Sequence, residues 1–571
     1  GEGQSRSRYG SAWSPSAPPG SGEGVKVGSE GCRRGQGKSI CICPVGTHNV
    51  LPIAMNQIPT HFPASQRTSY QFPVYKWIGW LTVAGFAIGL TVMFFVSGMF
   101  GIPAPLGWAG LVILFTFGAL LLDRPRLLLN CMMFYFLMMP GNRLLGILSL
   151  PVPPFLDELF FLPFIAVIVM NWIQRSQVKE ATVFPIVFLL VVALGWYVNG
   201  KPDPFTAVRL SLVMLKSYII WYYCRLTCTF KDERQLSRWT WVFIGYIALQ
   251  YAYNVLWHRQ LWPRYHPDVS GGVFGPFSTG SAHVVGYLSI FGLLLLAGWW
   301  VSVRKTLSRR RKWLAGLVAV VISYNLIFMT DTKHALFLVP AAFIPFLVHP
   351  RFALRLRLWL TTMILLFGLA SAAYLSASMG RLQLNRYWEA MKDSPKGDLF
   401  YAVTADFRHL VPYPLLGAGP GRFTSEYARE ARAPLSRRYI IPYYDADRRE
   451  GYFGRGGFTA ISSIMGSLTS DFFTLMGETG WLGTLVFYSF IFTIVGRLFR
   501  KSTRAPPTSL ISGLSLALAS CLIFLIVVSL LVPVTTIQVV AFPLWMLCGR
   551  IWDMQPDAGA PAPAEPDSRE S

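Results

Sequence analysis

Long apolar runs recur along this chain and constrain its fold more than any other feature. A helix needs about 20 apolar residues to cross a hydrocarbon layer of roughly 30 Å, and fourteen runs approach that length. They cover 77–100, 106–122, 127–140, 155–173, 181–199, 205–226, 238–257, 281–303, 313–330, 334–349, 358–377, 471–496, 509–532 and 534–551. The third and tenth runs are short, and either could be half-spanning or packed inside a bundle. With 53% hydrophobic and 14% charged residues, we predict an all-α polytopic membrane protein with about 12–14 transmembrane helices.

Basic residues in the short loops predict how these helices are oriented. Alternate loops hold 21 Lys and Arg on one side and 5 on the other. Because positive residues beside a span resist translocation, the richer side is predicted to be cytoplasmic. Both termini then lie in the cytoplasm, and the long segment 378–470 faces outward. Loop ends account for most of the net charge of +23, and no nucleic-acid-binding signature accompanies it, so nucleic acid is not expected as a partner.

The cysteines show neither metal-ligand nor disulfide spacing. The apolar runs and the segments between them predict five regions of the chain. They are a disordered cytoplasmic extension at 1–76 with Met55 as its expected true start, a first transmembrane part at 77–377, a large outer loop with short amphipathic helices at 378–470, three last helices at 471–552, and a disordered tail at 553–571. Neither a metal nor a cofactor is predicted.

The outer segment contains the stretch "LLGAGPGRFTSEYARE" at 415–430, which is unusual in an apolar chain. It lacks the Lys-Ser/Thr ending of a phosphate-binding Walker loop. One interpretation is a Gly/Pro turn before a helix. The other is a turn whose N–H groups, together with Arg422, converge on an anion.

Two cations lie inside the predicted sixth span. Arg209 and Lys216 are seven residues apart, which places them about two turns apart on one face of a helix. An ionisable side chain inside a span is a functional candidate, because exposure to hydrocarbon costs at least roughly 2.5–3.5 kcal/mol. The alternative for Arg209 is that it snorkels to the outer interface.

Four sequence elements occur in a characteristic order along the second half of the chain. They read "GGVFGPFSTGSAHVVGYL" (271–288), "TDTKHALFL" (330–338), "YPLLGAGPGRF" (413–423) and "SDFFTLMGETGWLG" (470–483). This ordered set, over roughly the last 300 residues, resembles the O-antigen ligase and Wzy-type polysaccharide polymerase family. Ligases of that family have a His-Asn pair where this chain has Thr469 and Ser470, which favours a polymerase.

The resemblance implies an inverting, metal-independent glycosyltransferase at the periplasmic face of the bacterial inner membrane. Its donor would be an undecaprenyl-diphosphate-linked oligosaccharide, and its partners would be membrane lipids and a flippase and chain-length regulator of the same export pathway. The alternatives are a ligase that transfers the glycan to lipid A core or another acceptor, a lipid-linked glycan flippase, and a scaffold subunit of an export complex.

Nine residues are the resulting site candidates. The catalytic candidates are Asp471, as a general base, and Glu478, which could orient a loop or pair with an arginine; the candidates for diphosphate and glycan binding are Arg209, Lys216, Arg264, Lys333, Arg386, Gly419 and Arg422. Cations would stabilise the charge that develops on the leaving diphosphate. The alternative for Asp471 is a helix N-terminal residue favoured by the macrodipole.

Overall fold

The structure is a computed structural model that describes five stretches of the chain. These are 125–138, 161–175, 180–258, 281–439 and 470–555, with gaps inside several of them. All fall within one compact unit, Phe72–Ser571. The predicted extension at 1–76, the first two predicted spans, most of the C-terminal tail, and the candidates Arg264 and Arg386 lie outside the described residues.

The described residues are mostly helical, with no strand among them. The helices are α1 (Pro125–Met138), α2 (Leu162–Arg175), α3 (Glu180–Val198), α4 (Pro204–Thr227), α5 (Glu233–Tyr253), α6 (Ser281–Val303), α7 (Arg309–Tyr324), α8 (Lys333–Ala342), α9 (Ile344–Val348), α10 (Pro395–Thr404), α11 (Phe407–Leu410), α12 (Pro434–Tyr439), α13 (Asp471–Arg504), α14 (Leu510–Ser529) and α15 (Gln538–Trp552). Two π-helical segments, Asn254–His258 and Asn325–Met329, continue α5 and α7.

Helices occupy the positions of the predicted spans throughout the described part of the bundle. Four segments, His283–Val303, Arg309–Met329, Asp471–Arg504 and Leu510–Ser529, are long and apolar enough to cross a membrane. The all-α prediction is therefore confirmed for the described residues, and the four segments are compatible with a membrane protein. The number of spans and the outer position of the loop stay predictions. Within the predicted outer segment 378–470, the short helices α10, α11 and α12 are present.

Several predicted spans are not continuous α-helices. The run 334–349 divides at Phe343 into α8 and α9. Pro345 lies in the first turn of α9. An N–H group at this position has no acceptor within the helix, so proline, which lacks one, is tolerated there. In α13 the break is at Gly480, whose backbone has φ 68° and ψ −168°. A left-handed residue cannot continue a right-handed helix, so α13 consists of two helical segments joined at this residue.

Helix α14 is the centre of the bundle, and almost all of its residues are buried. It packs against α6, α8 and α13, while α15 packs along α4. The crossing of α6 and α14 is close because Gly298 and Gly513 face each other: a Cβ atom on either would overlap the partner's carbonyl. The Gly513 N–H also donates to the Ser302 hydroxyl at 3.1 Å. Small residues at a crossing and a hydroxyl across it are typical of packing inside membranes.

Residues predicted to lie on the same side of the membrane contact one another. At one end, residues of the outer segment pack on the turn between α3 and α4. At the other, Arg225 pairs with Asp553 at 3.2 Å, and Arg550 Nε donates to the Cys228 carbonyl at 2.9 Å. The contacts agree with the predicted alternation of loops, and which end faces the cytoplasm stays a prediction.

Candidate functional site

The glycine-rich stretch of the sequence forms a turn, which we call the glycine loop (residues 413–425). All three of its glycines have a left-handed backbone, with φ 72° at Gly417, 90° at Gly419 and 74° at Gly421. Residues with a Cβ atom rarely adopt this conformation, so the glycines are required by the path of the chain. The loop residues from Gly417 to Gly421 are buried, and the loop is thus part of the packed structure.

A buried carboxylate from α13 holds the glycine loop. Glu478 is 0% exposed. The Gly421 N–H donates to its Oε2 at 2.6 Å, and the Ser425 N–H donates to its Oε1 at 2.8 Å. One of the two interpretations of the sequence has amides of this turn converging on an anion, and the group that two of them bind is the protein's own Glu478. This geometry favours the loop-orienting role for Glu478, since both of its oxygens are already engaged.

The break in α13 is completed by the same loop. Because Gly480 interrupts the helix, the N–H groups that follow it turn away from helical acceptors. The Trp481 N–H donates to the Pro414 carbonyl at 3.2 Å, and the Leu482 N–H donates to the Leu415 carbonyl at 3.1 Å. In return the Ala418 N–H donates to the Gly477 carbonyl at 2.8 Å. The glycine loop therefore acts as a cap for the second segment of α13.

On its other face the glycine loop packs against the turn between α3 and α4. Asn199 Nδ2 donates to the Gly195 carbonyl at 2.8 Å and to the Gly417 carbonyl at 3.2 Å. A Cβ atom on Gly419 would lie 3.1 Å from the Asn199 Cβ, so the two backbones meet at close range. Three separate parts of the chain, the α3–α4 turn, the loop and α13, thus join at one end of the bundle.

Arg422 lies at the rim of this junction and is half-buried. One of its guanidinium nitrogens is 3.9 Å from where a Cβ atom on Gly200 would be. Next to Gly200, Lys201 places its Nζ 4.7 Å from the centroid of the Tyr197 ring. Two cations therefore border the α3–α4 turn, on the side where the outer segment docks.

The two cations of the predicted sixth span are inside the protein. Arg209 is 9% exposed and Lys216 is 5% exposed, so neither lies on the lipid-facing surface of α4. The Arg209 guanidinium is 5.8 Å from the Phe205 ring centroid, and Lys216 Nζ is 5.6 Å from that of Phe161. Thr206 packs on Gly421 of the loop, and Arg209 is one turn deeper along the same face of α4.

Asp471 is the first residue of α13 and is 1% exposed. Ser470 is the N-cap, because its hydroxyl accepts from the Phe473 N–H at 3.0 Å. In the next turn, the hydroxyls of Thr474 and Thr424 are 3.2 Å apart, which connects this helix end to the glycine loop. A carboxylate in the first turn is favoured by the helix dipole, and Asp471 precedes by about one turn the residue that contacts the loop.

The structure thus brings part of the predicted site together. Gly419 and Arg422 belong to the loop that Glu478 holds, Asp471 begins the helix that carries Glu478, and Arg209 lies one turn along α4 from the loop contact at Thr206. Lys333 is the first residue of α8, but its side chain is outside the described residues. No group of His, Cys, Asp and Glu among the described residues could hold a metal ion.

Sequence reasoning missed the contribution of the α3–α4 turn. This turn reads "NGKPD" at 199–203, a combination typical of turns. Asp203 caps α4 by accepting from the N–H groups of Phe205 and Thr206, each at 3.2 Å. The turn signal could have been found, but its contact with a loop 218 positions later has no local signature.

Comparison of the chain with known protein families and with curated proteins finds no match.

Proposed function

We propose that the protein polymerises lipid-linked oligosaccharide repeat units at the outer face of a bacterial inner membrane. It would transfer the growing glycan from undecaprenyl diphosphate to the next lipid-linked unit, as an inverting and metal-independent glycosyltransferase. The observation that carries the proposal is the junction of the glycine loop with α3, α4 and α13, at which Arg422 lies at the rim and Arg209 lies below the loop.

The arrangement suits a donor whose tail stays in lipid and whose diphosphate lies at the headgroup level. Glu478 already occupies the amides of Gly421 and Ser425, so in this proposal the side chain of Arg422 would bind the diphosphate at the loop. A guanidinium can bind two phosphate oxygens at once. A cation placed where negative charge develops on a leaving group lowers the barrier to its departure.

In the proposed reaction, a hydroxyl of the acceptor sugar attacks the anomeric carbon of the donor. The new C–O bond forms as the bond to the diphosphate oxygen breaks, and undecaprenyl diphosphate leaves with the bonding electron pair. The hydroxyl proton passes to a base, for which Asp471 is the candidate beside the loop. Glu478 would act as a positioning residue by holding the loop that carries Arg422.

The test is an electrophoretic glycan profile of cells that lack the chain, complemented with wild type, Arg422→Ala or Lys333→Ala, with lipid-linked intermediates extracted in parallel. We expect loss of long polymer and accumulation of single repeats on lipid at the outer face in the deletion and in Arg422→Ala. Arg437→Ala, which removes an exposed arginine of α12, is the matched control and should restore the polymer.

Other outcomes would replace the proposal with a different function. Long chains stranded on undecaprenyl diphosphate would identify a ligase. Repeats retained at the inner face would identify a flippase. Normal polymer in every charge-removing variant, together with its loss in the deletion, would identify a scaffold subunit.

A further inference from the structure

An apolar groove runs along α13 from Leu485, about one turn beyond the contact of Leu482 with the glycine loop, to a positively charged end at Arg497. It has a volume of about 370 Å³ and lies between α3 and α13, near the last turns of α4 and α15. Val183 and Val187 of α3 form one wall, and Leu485 of α13 forms the other. In the groove, the rings of Phe184 and Phe490 stack with centroids 4.3 Å apart.

Three basic side chains gather round Trp552 where the groove ends. The guanidinium groups of Arg497 and Arg225 are 5.5 Å and 5.6 Å from its ring centroid. Lys501 Nζ donates a hydrogen bond to the Trp552 carbonyl at 2.7 Å. Among the described residues, Asp553 is an acidic residue in contact with this group; it pairs with Arg225, and its side chain is 43% exposed. The local charge is therefore positive, with Arg497 both exposed and in the groove lining.

The groove matches one leaflet of a bilayer in length. From Leu485 to Arg497 the helix rises about 18 Å, against about 15 Å for half of a hydrocarbon layer of roughly 30 Å. Its walls are open, since Val183 is 52% and Leu485 65% exposed. An arginine at a headgroup level, with an aromatic ring beside it and an apolar channel behind it, is complementary to a phospholipid.

We propose that this groove binds an anionic phospholipid of the cytoplasmic leaflet. One acyl chain lies between α3 and α13, and the headgroup phosphate accepts hydrogen bonds from Arg497, with Arg225 and Lys501 adding to the field. The headgroup end of the site is separate from the proposed transfer site, because Arg497 lies about four helical turns along α13 from Leu482, which contacts the glycine loop.

The experiment reconstitutes the full chain in nanodiscs with equal parts of phosphatidylglycerol and phosphatidylcholine. The lipids retained after extraction are then counted by native mass spectrometry. We expect phosphatidylglycerol to be retained preferentially by the wild type, and Arg497→Gln to reduce its retention about fivefold, the factor that one basic residue near anionic headgroups contributes. Arg500→Gln removes an exposed arginine of the same helix that is outside the groove lining, and it should leave retention unchanged.

Two results would overturn the proposal. One is equal retention of the two lipids by the wild type, and the other is an equal effect of Arg497→Gln and Arg500→Gln. Cross-linking of the wild type with phosphatidylglycerol that carries a photoreactive acyl chain needs no variant. Adducts are expected on 183–187 and 485–497, and their absence from both segments would also reject the site.

Discussion

Two regions of the bundle bury polar side chains by different means. One is the glycine loop on Glu478, and the other is a pair of π-helical segments that begin at Asn254 and Asn325, which we call the bulge pair. All three of these side chains are 0% exposed. In an apolar surrounding each must find partners within the protein, because an unpaired buried polar group is costly.

In the glycine loop, a charged side chain is matched by a fixed backbone. The amides that bind Glu478 are 57 and 53 residues away in the chain, and the glycines hold them in place. In the bulge pair, neutral side chains match one another. Asn254 Nδ2 donates to Asn325 Oδ1 at 3.0 Å, and Asn325 Nδ2 donates to the Ser289 hydroxyl at 3.4 Å, so that three helices are connected.

The two regions should lose different amounts of stability when their buried polar side chains are removed. A carboxylate with dedicated backbone donors leaves those donors unsatisfied when it is removed. Amide side chains inside a bundle can exchange partners, and measured couplings between such groups in membranes are small. The glycine loop is therefore expected to be the more sensitive of the two regions.

Glu478→Ala should have the largest effect. It leaves the buried N–H groups of Gly421 and Ser425 without an acceptor, which costs about 1–3 kcal/mol each. We expect a lower midpoint of thermal unfolding in detergent and new protease cleavage within residues 413–425. Glu478→Gln keeps the size and one acceptor oxygen, and it should lose less. If the alanine variant is as stable as the wild type, the carboxylate does not hold the loop.

Gly480→Ala should have the next largest effect on stability. A methyl group there would overlap the backbone of Leu415 and Gly417, and the left-handed conformation adds about 1–2 kcal/mol for a residue with a Cβ atom. Gly496, in the same helix, has nothing within 4 Å of a Cβ position. Gly496→Ala should therefore stabilise the helix by about 0.5–1 kcal/mol. Opposite signs in the same unfolding assay are expected, and equal effects would contradict the close contact at the break.

Interactions within the bulge pair should contribute less to the free energy of unfolding. In a double-mutant cycle of Asn254→Ala and Asn325→Ala, we expect a coupling of about 0.6 kcal/mol and not above about 1.7 kcal/mol. Replacement of both by Leu removes donor and acceptor together and should be close to neutral. If this coupling energy is as large as the stability lost in Glu478→Ala, the two regions do not differ in the way argued above.

Among the described residues, the sequence predicted where helices form, because a helix in lipid must be long and apolar and both properties are local. It also predicted a rigid turn at the three loop glycines, since few other residues adopt a left-handed backbone. It predicted Arg209 and Lys216 on one face of α4, and both are buried.

What the sequence did not predict depends on contacts between distant segments. The bulge pair was assigned to continuous spans, because Asn254 and Asn325 are single polar residues in apolar runs and a π segment has no local signature. The break at Gly480 was not predicted either. A glycine within a helix is tolerated in many proteins, and only the approach of the glycine loop requires the left-handed backbone here.

The most local expected effect concerns Asn199, which hydrogen-bonds the α3–α4 turn to the loop. Asn199→Ala removes one long hydrogen bond to the Gly417 carbonyl and one to its own helix, so about 0.5–1.5 kcal/mol is expected. Hydrogen exchange should increase at the loop amides while the first turn of α4 is unchanged. Asp203→Ala, the control, removes the cap from Phe205 and Thr206. It should increase exchange in the first turn of α4 and leave the loop amides unchanged. If Asn199→Ala leaves loop exchange unchanged, the glycine loop is held by α13 alone, and the α3–α4 turn only covers it.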